Sequence, residues 1–142
     1  MVFSDWGFKF KGGRMALKIN IIVKEPGIFV VTLYGPLDTT TYAALEKQIE
    51  PLLVLSTKVI ILNMEGVNYI SSMGIGTLFK IKQAMMDNNG SLVVTNLQPQ
   101  IQKVLETVKA MPEAIFTSYE EVDEYLTELQ KKFLDKEHPP TI

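Results

Sequence analysis

Few residues in this chain have a type and spacing suited to chemistry. His138 is the one histidine and stands in a polar tail beside Pro139-Pro140. A Ser-His-Asp relay needs its imidazole held by the fold. A zinc site needs further ligands, and the chain has no cysteine. The densest carboxylates, Glu120-Glu121, Asp123-Glu124 and Glu128, could do acid–base work. They open an amphipathic stretch where negative charge offsets a helix dipole, so solvated surface is the simpler reading. Gly74-x-Gly76 lacks both GxGxxG and GxxxxGK(S/T), the phosphate-loop patterns. The 7 methionines are scattered and suit core filling. No cofactor is implied, and an enzyme is not expected.

What remains is a pair of hydroxyls in Asn68–Thr77 (NYISSMGIGT). Ser71-Ser72 precede two glycines at a helix start, so bulky neighbours do not shield them and another protein can approach. A helix N-terminus favours an anion. A phosphate on serine here would add about −1.5 to −2 charges and repel a docked partner. The same residues also fit a plain reading in which a serine is an N-cap and the glycines let helix and sheet pack closely.

The flanking elements follow from pattern. Lys18–Lys24 and Ile28–Tyr34 are β-branched and aromatic, with Pro26-Gly27 between them; this reads as a hairpin. Gly35–Asp38 breaks the strand. A helix runs from about Thr39 to Glu50, capped by Asp38, Thr39 or Thr40, with Tyr42, Leu45, Ile49 and Leu52 inward and Pro51 ending it. Lys58–Asn63 is a strand expected to be covered on both faces. Ser72–Asn88 is the next helix, with Ile75, Leu78, Phe79, the Lys82 stem and Met85 or Met86 on its core face. Asn88-Asn89-Gly90 stops it. Ser91–Thr95 reads as another buried strand. A third helix starts at Pro99 and runs to about Val108. Ile115–Phe116 suits a small strand. Ser118-x-x-Glu121 is a capping box opening a fourth helix, with Val122, Tyr125, Leu126, Leu129 and Phe133 on one face. The order β-β-α-β-α-β-α-(β)-α gives an α/β fold with a mixed sheet of four to five strands and about four helices.

Bulk properties narrow the function. A length of 142 residues with 46% apolar and 21% charged side chains suits one globular domain. The formal charge of −2 and the absence of a basic block give no footing for direct nucleic-acid binding. No apolar run approaches the roughly 20 residues of a membrane span, so no membrane insertion is expected, and the N-terminus does not resemble a secretory signal. A cytoplasmic protein is the expectation. Residues 1–16 read as a native extension, a misassigned start before Met15 or a cloning remnant; Trp6, Phe8 and Phe10, at period two, alternatively make an edge strand or binding arm. Residues 17–134 form the domain and 135–142 a flexible tail.

Three features, in order, carry a family resemblance. Gly35-Pro36-Leu37-Asp38 matches a Gly-x-Leu-Asp turn, and Val59-Ile60-Ile61-Leu62-Asn63 an apolar strand. Tyr69-Ile70-Ser71-Ser72-Met73-Gly74-Ile75-Gly76 resembles the strand-to-helix signature of the STAS domain of bacterial anti-sigma factor antagonists. The resemblance covers about Lys18 to Phe133 and implies a single STAS-type domain that switches partners. In that family the antagonist binds an anti-sigma factor that is also an ATP-using serine kinase. The kinase phosphorylates the signature serine, the complex separates, and a phosphatase resets the cycle. Ser72 matches the phosphoacceptor. Asp38, Thr39, Ser71, Met73, Gly74 and Ile75 would surround it as the docking patch. Ser71 stands where the family most often has aspartate, and Asn63 where the strand often ends in aspartate. That change fits a different kinase, or a domain that binds without phosphorylation. Two alternatives follow: a STAS accessory subunit of a membrane transporter, and a STAS domain sensing a small molecule or nucleotide. A homodimer through the fourth helix and the aromatic N-terminus stays open.

Overall fold

The computed structural model describes residues 2–4, 16–110 and 126–132. Five strands, β1 (Val2–Ser4), β2 (Lys18–Glu25), β3 (Ile28–Tyr34), β4 (Val59–Gly66) and β5 (Ser91–Thr95), form one sheet in that spatial order. β1 pairs antiparallel with β2, and β2 with β3; β3, β4 and β5 run parallel. The β2–β3 hairpin turns at Pro26-Gly27. Gly27 has φ +83, and an added Cβ would meet the Ser56 carbonyl oxygen at 2.8 Å, so glycine is required twice over. Parallel neighbours need a crossover. Here α1 (Tyr42–Ile49) with the 3-10 turn Glu50–Leu52 links β3 to β4, and α2 (Ser72–Asp87) links β4 to β5. α3 (Pro99–Ala110) follows, and residues 126–132 are helical.

The core gathers one face of β2, β3 and β4 against the helices. Ile19 and Ile21 of β2, Val31 and Leu33 of β3, and Ile60, Leu62 and Met64 of β4 are buried in alternation. They meet Leu45 and Ile49 of α1, Ile75, Leu78, Ile81 and Met85 of α2, Ile101 and Val104 of α3, and Leu126. Removing each such side chain from water contributes about 1.5–3 kcal/mol.

Several expectations shift. α1 begins at Tyr42 because residues 39–41 are taken up by a turn. β4 runs on to Gly66, paired with Tyr34. Its alternation buries one face fully, while Val59, Ile61 and Asn63 are half-covered. β5 is not a buried strand: Val93 is exposed, while Leu92 and Val94 pack on the core. Its only hydrogen-bonded neighbour among the described residues is β4, so it lies at a sheet edge. On α2, Phe79 is 52% exposed and Lys82 is exposed, and Ile81 takes the inward place. Ile75, Leu78 and Met85 are buried as expected, and Gly74, Thr77 and Ile81 join them in the helical i, i+3, i+4 rhythm. The stretch Trp6–Phe10, Ile115–Phe116, the capping box at Ser118, Val122, Tyr125, Phe133 and the tail lie outside the described residues. Among the described residues no helix is long and apolar enough to cross a membrane.

Candidate functional site

The site lies where β4 hands over to α2. Ser71 is the N-cap, with an extended backbone (φ −100, ψ 175) and a side chain that accepts from the Gly74 N–H at 3.3 Å. It uses the short hydroxyl to meet an N–H that the first helical turn cannot satisfy. Ser72 is the first helical residue, where the helix dipole raises positive potential.

The Gly35–Asp38 turn is stitched to this junction. Leu37 forms a parallel bridge with Ile70. Its N–H donates to the Tyr69 carbonyl at 2.9 Å, and its carbonyl accepts from the Ser71 N–H at 3.0 Å. Gly74 then passes so close to Leu37 that an added Cβ would sit 2.4 Å from the Leu37 carbonyl oxygen and 2.9 Å from Ile70 Cγ1. Around Gly76, by contrast, a Cβ would meet nothing within 4 Å. The two glycines of the signature therefore differ: one is demanded by packing, and the other is not.

Asp38 organises the turn ahead of α1. Its Oδ1 accepts from the Thr40 N–H at 2.9 Å and from the Thr40 hydroxyl at 2.7 Å. Its carbonyl accepts from the Tyr42 N–H at 2.9 Å. Thr41 adds a bracket that sequence reasoning missed: its hydroxyl accepts from the Asp38 N–H at 2.9 Å and donates to the Pro36 carbonyl at 2.8 Å. Thr41, rather than the expected Asp38, Thr39 or Thr40, is the N-cap residue of α1, and its side chain makes no capping bond to the helix because its hydroxyl is taken up by this bracket.

A second missed residue reaches the junction from 60 positions downstream. Gln130 accepts from the Ile70 N–H through Oε1 at 3.0 Å and donates from Nε2 to the Ile70 carbonyl at 2.9 Å. Beside it, the Tyr69 and Thr127 hydroxyls are 2.8 Å apart.

The sequence-predicted patch separates into two layers. Thr39 is exposed, and Asp38, Ser72 and Met73 are half-buried. Ser71 at 2% exposure, Gly74, and Ile75 at 4% lie beneath them, held by the contacts just described or by the core. The expectation that the Ser72 hydroxyl stands open is not met in this conformation: its Oγ has less than 1 Å² of accessible surface. Among the described residues no three His, Cys, Asp or Glu side chains group to hold a metal.

The comparisons agree with this architecture. An anti-sigma factor antagonist from Mycobacterium paratuberculosis superimposes with a TM-score of 0.59 at 20% identity, over 80% of this chain and 94% of that one. The Bacillus cell fate determinant SpoIIAA in its phosphorylated form gives 0.55 at 20% identity, over 63% and 82%. A sulfate transporter family protein from Wolinella succinogenes gives 0.53 at 18% identity, over 78% and 93%. No curated protein matches the chain by sequence. The family model for the STAS domain matches residues 21–128, which takes in the β2–β3 turn and all of β3, the Leu37–Ile70 bridge and the serine junction, and the chain belongs to the STAS domain family.

Proposed function

We propose that the chain is a cytoplasmic anti-sigma factor antagonist, a non-enzymatic module whose binding to an anti-sigma factor with serine kinase activity is controlled by phosphorylation of Ser72. The observation that carries this reading is the position of Ser72: first residue of a 16-residue helix, directly after an N-cap that leaves the helix dipole pointing at it. The likeness to antagonist structures, one of them described in a phosphorylated form, supports it. In the step itself, a bond forms between Ser72 Oγ and the γ-phosphorus of ATP as the bond to ADP breaks. The hydroxyl proton passes to a base of the kinase. The added charge then meets the partner surface resting on Thr39, Asp38 and Met73, while Ser71, Gly74 and Ile75 hold that surface in shape from below. A phosphatase restores the hydroxyl.

Intact-mass analysis and phosphosite mapping of the protein from its native host test the reading. The expected result is one phosphate on Ser72, and loss of a co-purifying kinase-type partner in Ser72→Asp with an unchanged circular dichroism spectrum. Normal partner binding by that variant would refute the switch. A second reading, a STAS subunit docked on a transporter, is favoured by the covered Ser72 hydroxyl and by the transporter-family neighbour. Ser72 free of phosphate in the host, with a transporter ATPase as the co-purifying protein, would establish it instead.

A further inference from the structure

Transfer of a phosphoryl group needs an in-line approach to the acceptor oxygen, yet Ser72 Oγ is covered. Access to it calls for a local movement, and two of the fastenings that hold the junction are of unequal kind. On one side Leu37 holds Tyr69 and Ser71 by main-chain bonds, as part of the segment joining β3 to α1. On the other, the helical segment 126–132 holds Ile70 through one side chain. The Gln130 amide copies a neighbouring strand, offering one acceptor and one donor to Ile70, and its Nε2 also donates to the Leu126 carbonyl at 3.0 Å. Gln130 is only 2% exposed. Withdrawing it leaves a buried N–H and a buried carbonyl that only water can satisfy.

We infer that Gln130 is a positioning residue for Ser72: its two bonds to Ile70 keep the serine junction shut, and their release gives a phosphoryl donor access to the hydroxyl. A fastening made by one side chain can let go while the sheet stays intact, whereas the Leu37 fastening cannot part without moving the chain between β3 and α1. The inference rests on the reading of Ser72 as an acceptor, but its test needs neither kinase nor partner.

The chain has no cysteine, so Ser72→Cys introduces a single thiol in nearly the shape of the serine. Its alkylation rate with iodoacetamide reports opening of the junction. Thr57→Cys, buried at the opposite end of β4, is the reference. In the folded protein, Ser72→Cys should react far more slowly than in urea. Adding Gln130→Met, which keeps size but removes both bonds, should speed it roughly 30-fold, equivalent to about 2 kcal/mol at tenfold per 1.4 kcal/mol. The Thr57→Cys rate should stay unchanged. Equal acceleration of both thiols would reduce Gln130 to a general stabiliser, and no acceleration at Ser72→Cys would overturn the inference. Should Gln130→Met fail to fold, Tyr69→Phe with Thr127→Val removes the adjoining 2.8 Å bond; about a fivefold rise, again at Ser72→Cys alone, is then expected. If labelling behaves as expected while Ser72→Asp still binds its partner, the fastening stands and the phosphorylation reading falls.

Discussion

The same substitution at two glycines two residues apart should change stability in opposite directions. In a helix, alanine is favoured over glycine by about 0.8–1.0 kcal/mol. At Gly76 nothing opposes that gain, because an added Cβ meets no atom within 4 Å. Gly76→Ala should therefore stabilise by nearly the full amount. At Gly74 the Cβ would lie 2.4 Å from the Leu37 carbonyl oxygen, and a backbone atom cannot swing aside as a side-chain tip can. Reaching ordinary contact would take a displacement of about 1 Å in the segment that also accepts the Ser71 N–H at 3.0 Å. Overpacking of this kind costs about 1–3 kcal/mol, and a weakened hydrogen bond adds about 1 kcal/mol. After the propensity gain, Gly74→Ala should destabilise by about 1–3 kcal/mol, placing the two variants about 2–4 kcal/mol apart. Urea unfolding followed by circular dichroism, with equal m-values for both variants, measures the difference. Should Gly74→Ala prove as stable as Gly76→Ala, the close approach of α2 to Leu37 is wrong, and with it the positioning of the junction.

Other expectations follow from the same geometry. Ser71→Ala removes the N-cap at Gly74, a long bond of 3.3 Å, so its cost belongs at the low end of the capping range, about 0.5–1 kcal/mol, by urea unfolding. Leu37→Ala, with its side chain fully buried between turn and junction, should cost about 2–5 kcal/mol and lower Tm in calorimetry accordingly. Thr77→Val removes a 2.9 Å bond to Glu46 from a residue that is itself buried; a loss of about 1 kcal/mol is expected. Lys80→Ala breaks a 3.2 Å ion pair to the same Glu46, but its side chain is 72% exposed. Its effect should stay under about 0.5 kcal/mol and vanish in high salt.

Local chemistry was readable from the sequence wherever it was self-contained. The Pro26-Gly27 turn, the start of α2 at Ser72, its stop at Asn88-Asn89-Gly90 and the span of β3 all depend on residues within a few positions of one another. So does the capping role of Ser71, one of the two readings its residue type allowed. On α2, Ile75, Leu78 and Met85 were legible as inward, but Phe79 stood in for Ile81 because both are apolar, and only packing against the sheet determines which turns inside. β5 reads as a buried strand by composition, and its place at the edge is a property of strand order.

The site divides in the same way. Residue types at a helix mouth mark Ser71 and Ser72 as hydroxyls in positive potential, and this needs no distant partner. Gly74 and Gly76 look alike in the chain, since the difference between them is a carbonyl oxygen brought by Leu37, far away in sequence. Gln130 carries no signal at all until the fold sets it against Ile70. The covering of the Ser72 hydroxyl is likewise a tertiary fact. Pattern and propensity act over one or two turns of chain, whereas steric exclusion and the satisfaction of buried peptide groups act between whatever segments the fold brings together.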